Sequence, residues 1–400
     1  MRKLLYSLIG CTLISCSQKK QTDSNTQTQP RPGTFAFDVN FIRKFKNAIV
    51  LGRHHSSSKV LVVADYQARV MTSTAGSDNG NSYGWINYPL IESKKIPSHM
   101  YPVGGEDRFW MGPEGGQYSI FFKKGDPFDF DHWQTPALID IEPFELLSSD
   151  STKASFQKKA SITNYQGFTF ELEINRTIQL LDSTSLANEL GILHFPAFVA
   201  YQSENILRNT GSDWKKENGL LSIWILGMFN PSDSTTIILP HDPVTKESKV
   251  TTDYFGTIPS DRLTEKPELL TIKGDGKYRG KIGIAPRIAK NIAGSYDAAK
   301  HVLTIVKYDL DKTADYVNSK WEQQKFPYQG DAVNAYNDGP LKDGGQLGPF
   351  YEIESSSPAR ALRQGESITH KSITAHFEGD ETQLNNLAIQ LLGISLRDLR

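Results

Sequence analysis

The densest run of groups able to do chemistry is Tyr101-Pro102-Val103-Gly104-Gly105-Glu106-Asp107-Arg108-Phe109-Trp110-Met111-Gly112-Pro113-Glu114-Gly115-Gly116. Glycines let a backbone come close to another group. Glu106, Asp107 and Glu114 are two-oxygen acceptors, Arg108 is a rigid donor fork and Trp110 an aromatic plate. Such a set suits a pyranose, whose ring-plane hydroxyls pair with carboxylates and guanidinium while its C–H face lies on an indole. The same composition also fits a glycine-rich loop closed by its own Arg–Glu pair.

A second cluster is Gly125-Asp126-Pro127-Phe128-Asp129-Phe130-Asp131-His132-Trp133-Gln134. If it is extended, Asp129, Asp131 and Trp133 share one face and Phe128, Phe130 and His132 the other, so either an acidic strip or His132 looks into a pocket. It lacks the glycine and terminal glutamate of a calcium-binding EF-hand loop. A third cluster, Tyr351-Glu352-Ile353-Glu354, puts Glu352 and Glu354 on one face of a strand. On a hollow face their mutual repulsion raises one pKa and supplies a proton carrier; on a convex face they are ordinary solvated charges. Trp224, inside an apolar run, and Asn337, in Asn334-Ala335-Tyr336-Asn337-Asp338, could line the same hollow or serve packing and a turn. There is no Gly-x-Ser-x-Gly elbow, His-Glu-x-x-His helix, dinucleotide fingerprint or phosphate loop. His370 and His376 stand roughly 20 Å apart along a presumed strand, too far to share a metal. No metal and no cofactor are expected.

The elements that must position these groups are strands. With 400 residues, 38% hydrophobic and 22% charged, the chain can bury a large core, which excludes disordered, collagen-like and coiled-coil classes. Forty-four basic against 45 acidic residues leave no positive field for a polyanion, so no nucleic-acid partner is expected. Period-two alternation marks residues 168–175 and 301–308. Apolar runs at 59–63, 117–122, 221–226, 235–239 and 367–377 also read as strands. Only the end of the chain has helical spacing: Asp380 can cap, Gln383 completes a capping box, Leu384, Leu387, Leu391 and Leu392 form one side, and Gly393 can stop it. This predicts an all-β protein with a short C-terminal helix, its residues 34–400 forming a single domain without a fixed-period repeat.

At the other end, Arg2 and Lys3 precede a short apolar run that fits a secretory signal over residues 1–15. Leu13-Ile14-Ser15-Cys16 resembles the lipobox of bacterial lipoproteins, which makes Cys16 the lipidated first residue and 16–33 a polar, proline-punctuated tether. Both cysteines, Cys11 and Cys16, precede the folded part, so no disulfide is expected there. These features imply a cell-envelope lipoprotein, in the outer membrane and held there through its lipid.

Taken together, the segments resemble an uncharacterised family of Gram-negative lipoproteins with the galactose mutarotase-like fold, a β-supersandwich shared with aldose epimerases. Four places carry the likeness: the Ala68-Arg69 step, Gly104-Gly105 through Trp110, the following Pro113-Glu114, and the run from Glu352 or Glu354 through Pro358, Leu362, Gly365 and Glu366. The resemblance implies carbohydrate recognition in a hollow sheet, with Glu352 or Glu354 as proton acceptor and His132 or Glu106 as donor. Arg69, Arg108, Trp110, Glu114, Trp133, Trp224 and Asn337 would bind the sugar. Two departures stand out: the epimerase Asn-His-Thr-Tyr signature is absent, and Gln364 replaces a proline. Two readings follow, an epimerase-like or glycan-processing enzyme and a non-catalytic glycan-binding lipoprotein.

Overall fold

The computed structural model describes residues 30–245, 248, 250–341 and 344–399; the expected signal peptide, Cys16 and most of the tether lie outside the described residues. Alternation in the sequence becomes alternation in burial. In Thr169–Leu180, Phe170, Leu172, Ile174, Ile178 and Leu180 point inward between exposed or half-buried neighbours. That strand pairs with Lys153–Thr163 and Ala197–Asn209, and Ala197–Asn209 pairs in turn with Ser367–Glu378; the four are the longest strands of a ten-stranded antiparallel sheet. A six-stranded antiparallel sheet runs in the order Val250–Thr251, Gly280–Ile284, Val333–Asn337, Tyr351–Ser356, Ser222–Phe229, Arg108–Gly112. A third sheet joins Ala48–Gly52, Lys59–Val63 and Arg69–Thr74.

The two large sheets share their cores. Phe109, Met111, Ile223 and Ile225 of the six-stranded sheet pack with Phe156, Phe170, Leu172 and Ile174 of the larger one. Ile282, Ala335, Tyr351 and Ile353 pack with Ile237, Leu239 and Ile272. Hydrogen bonds tie the layers: the hydroxyls of Ser295 and Tyr351 lie 2.8 Å apart, and Ser355 Oγ is 2.9 Å from His370 Nε2. Burial holds His370 well below the ordinary histidine range, at about 3, so it sits in the core as the neutral imidazole.

The terminal helix, Glu381–Leu392, has the expected capping box from Asp380 and Gln383 and ends at Gly393 with φ of 70°. Two expectations need correction. Residues 117–122 form no strand: Ser119 Oγ donates to the Glu114 carbonyl and accepts from Phe121 N, so side-chain bonds replace a ladder. Residues 125–134 are turns rather than an extended run, so alternation does not set their faces. Short helices such as Phe35–Ile42 and Ser183–Leu190 also escape a reading that sought long helical periods.

Candidate functional site

Strand alternation sends the odd positions of the Arg108–Gly112, Ser222–Phe229 and Tyr351–Ser356 strands into the shared core. The even positions therefore gather on the opposite face. Register aligns Trp110 with Trp224, and Leu226 with Glu354, which is itself opposite Asn334. One row further, Met228, Glu352, Tyr336 and Lys281 stand side by side across four strands. Segments more than 240 residues apart in sequence thus meet, and Arg108 Nη2 donates to Glu352 Oε1 at 2.8 Å.

Two ion pairs organise this face. Arg108 is paired with Glu352 and stacks over Trp110, 4.3 Å from its ring centre. Lys281 Nζ is 2.9 Å from Glu354 Oε2 and lies 4.7 Å over Trp224, whose indole N–H also donates to that oxygen at 3.0 Å. Trp110 and Trp224 meet edge to face at 5.6 Å. Glu354 and Trp110 keep 1% and 3% of their surface, so both carboxylate and indole are out of bulk water.

Loops roof the face. Trp133 stacks between Phe121 and Trp321, with ring centres 6.0 and 5.7 Å away. Tyr254 donates its hydroxyl to Asp331 and lies 5.7 Å from the ammonium groups of both Lys281 and Lys320. Glu114 sits beneath this roof, crowded by protein yet with part of its surface open in a recess.

The electrostatics separate the carboxyl groups. Burial pushes Glu114 up to about 7; Lys281 and the nearby Trp321 and Trp133 indoles pull it down, and the charge of Glu354 pushes it further up. Burial likewise lifts Glu352, with Arg108 opposing and Glu354 reinforcing the rise. Lys281 is raised: burial favours its neutral form, but Glu354 and Glu114 outweigh that. Glu354 Oε1, Trp110 Nε1 and Arg108 Nε on this face are buried without a protein hydrogen-bond partner, while the Trp133 indole is directed toward Glu114. Burying such atoms unpaired is costly.

The face brings together six of the residues singled out from sequence: Glu352, Glu354, Arg108, Trp110, Glu114 and Trp224, with Trp133 in the roof. Four others lie elsewhere. Glu106 is buried between the layers, accepting from Ser73 N and Ser73 Oγ and lying 3.1 Å from His376 Nε2. Its neighbour Asp107 pairs with Arg176 and Ser203 in the same interior. Arg69 is fully buried behind Arg108, donating to the Gly104 carbonyl at 2.8 Å and to Gln67 at 2.9 Å. Burial first, and then the charge of Arg108, lower it to about 9. The glycines serve this close packing: Gly104 has φ of 97°, and a Cβ there would come 2.0 Å from the Trp85 carbonyl. His132 is exposed and bonded to Asp129 at 2.6 Å. Asn337 points to the core side, holding the 276–278 turn through Gly276 N and the Tyr278 carbonyl.

Sequence reading missed Lys281, Tyr254 and Trp321. A single lysine at the start of an Ile-Gly-Ile strand reads as a solvated edge, and its carboxylate partner lies 73 residues away. Two surface hollows, of 370 and 630 Å3, lie apart from this constellation, one beside Asp309 and Arg360 and one beside Trp85 and Pro349. They lack its chemistry: the first pairs its own Arg360 with Asp311, and the second is walled largely by proline and apolar groups. Among the described residues no group of three or more His, Cys, Asp or Glu side chains could hold a metal ion.

Comparison with solved structures gives the Slr1438 protein from Synechocystis sp. PCC 6803, at 10% identity and a TM-score of 0.53, covering 84% of this chain and 96% of that one. It also gives a putative aldose 1-epimerase from Escherichia coli K12, at 10% identity and a TM-score of 0.50, covering 83% and 99%. The fold is thus galactose mutarotase-like, as the sequence resemblance implied. None of the curated proteins compared with the chain matches it. A family model matches residues 33–400, and the chain belongs to that family, a family of unknown function (DUF6786).

Proposed function

Because membership of this family carries no activity with it, the site has to speak for itself, and we propose that the outer face of the six-stranded sheet binds a carbohydrate and performs acid–base chemistry at its anomeric centre. The observation that carries this reading is Glu354 Oε1: a buried, unpartnered acceptor beside two carboxyl groups held up in pKa and the unpartnered indole N–H of Trp110. The mutarotase-like fold supports a sugar as the ligand.

For a reducing sugar the step balances as follows. Glu354 Oε1 takes the proton of the anomeric hydroxyl while the bond from C1 to the ring oxygen breaks, and the protonated Glu114 or Glu352 gives its proton to that oxygen. An open-chain aldehyde results, and closure on its other face inverts C1. Lys281 and the Trp224 N–H hold Glu354 Oε2, aiming the other oxygen at the substrate. The roof around Tyr254 and Trp321 must move for a sugar to reach Glu354. Of Glu352 and Glu354, the acceptor role is given to Glu354, because Glu352 spends its Oε1 on Arg108.

The test is titration calorimetry and NMR exchange spectroscopy with reducing mono- and oligosaccharides. Glu354→Gln should keep affinity within about threefold and abolish anomer exchange. Binding without exchange in the wild type would leave a glycan-binding protein, and absence of any saccharide binding would overturn the reading. We also infer export and lipid anchoring at Cys16 in the cell envelope, on the basis of the lipobox-like segment. Cys16→Ser should then release the protein from the membrane fraction, whereas unchanged fractionation would contradict the anchor.

A further inference from the structure

We propose that Arg279 selects an acidic saccharide, carrying a carboxylate or sulfate, for the face just described; this rests on the carbohydrate reading and narrows its substrate class. Arg279 immediately precedes the Gly280–Ile284 strand and, two residues from Lys281, emerges on the same side. The row Lys281, Tyr336, Glu352 lies one such step away.

Every other cation of the site has a carboxylate. Arg108 has Glu352 at 2.8 Å, Lys281 has Glu354 at 2.9 Å, and Lys320 has Asp253 at 3.7 Å. Among the described residues the guanidinium of Arg279 has neither a hydrogen-bond nor an ion-pair partner, and its Nε is buried without one. The nearby carboxylate, Asp338, is committed elsewhere: one oxygen accepts the Tyr336 hydroxyl and the other accepts Gly348 N at 3.0 Å.

Its position is nevertheless fixed. The guanidinium lies 4.1 Å over the ring of Phe255, and Phe255 meets Tyr336 edge to face at 5.9 Å. Phe255 is itself 46% exposed, an aromatic plate open to solvent beside an uncommitted donor fork. A planar fork stacked on one face keeps its edge free for two parallel bonds to a carboxylate or sulfate, while the ring offers a surface to the sugar's C–H face. A neutral sugar leaves that fork without a bonded anion, since Asp338 acts on it only through space.

The experiment screens the full folded protein on a glycan array holding acidic members and neutral counterparts of the same skeleton. Trigalacturonate is set against its methyl ester, and sulfated galactose oligomers against desulfated ones. Calorimetry on the best pair follows, for the wild type, Arg279→Gln and Arg279→Lys. The expected result is preference for the charged member of at least one pair. Arg279→Gln should lose it by about 10- to 100-fold and Arg279→Lys by less, with thermal unfolding lowered only slightly, because the side chain's contact with the protein is its stacking on Phe255 rather than a hydrogen bond. Which pair responds tells carboxylate from sulfate. Equal or better binding of neutral members, or an unaltered preference in Arg279→Gln, overturns the role of Arg279 and leaves the sugar site standing. Binding of no glycan, charged or neutral, overturns the carbohydrate reading itself.

Discussion

Replacing Lys281 by methionine probes the site where its parts depend most on one another. The ammonium neutralises Glu354 at 2.9 Å, with 13% of the Lys281 side chain and 1% of that of Glu354 exposed. Methionine fills similar volume but leaves Glu354 charged in a low-dielectric enclosure, with the Trp224 N–H as its remaining donor. Removing one partner of a buried pair costs about 3–5 kcal/mol. The loss must also depend on pH. In the variant the carboxylate stands unpaired in a low-dielectric enclosure, a penalty that vanishes once the pH is low enough to neutralise carboxylates in general. Urea denaturation should therefore show a deficit of about 3–5 kcal/mol at pH 8 that shrinks to below about 1.5 kcal/mol near pH 4. The double variant Lys281→Met with Glu354→Gln should recover most of the pH 8 deficit, because the unpaired charge is gone. A single-variant loss under about 1 kcal/mol that is flat with pH would refute the buried pair, since that is the behaviour of a solvated surface bridge.

Glu114, raised to about 7, carries a stability penalty that is absent below its ordinary range and grows until the pH passes its folded value. Glu114→Gln removes it, so the variant should be more stable than wild type at pH 8 by about 1–3 kcal/mol and equal to it at pH 4; parallel stability curves would contradict this. Glu106→Ala should cost about 3 kcal/mol or more by orphaning the Ser73 amide and His376, measured by urea melts, while saccharide affinity of the folded fraction stays put. Trp110→Ala should weaken saccharide binding about tenfold or more in calorimetry with little effect on the Lys281–Glu354 pair. Unchanged affinity would remove Trp110 from the ligand surface.

Period-two patterning exposed the Thr169–Leu180 and Val302–Tyr308 strands, apolar runs exposed Lys59–Val63, Ser222–Phe229, Thr235–Pro240 and Ser367–Glu378, and the capping residues Asp380 and Gly393 exposed the terminal helix. The face was legible where a strand carries its own clue: Glu352 and Glu354, or Arg108 and Trp110, two residues apart. It was not legible where a charge is buried by a distant partner. Glu106 and Arg69 look like ligand groups because burying them needs bonds to Ser73, His376, Gln67 and the Gly104 carbonyl that no local window contains. Lys281 and Arg279 fail to stand out for the converse reason, since a lone basic residue on a short strand is ordinarily solvated. Ser119 shows a further limit: a residue within an apolar run can turn the backbone through its side chain and abolish the expected strand.

The most direct measurement is a crystal structure of the protein soaked with the tightest-binding saccharide from the array. The expected density places a sugar ring against Trp110 and Trp224 with one hydroxyl within about 3 Å of Glu354 Oε1. A saccharide bound in the hollow beside Asp309 or Trp85 instead, with the Glu354 enclosure closed and unchanged, would contradict the assignment of this face.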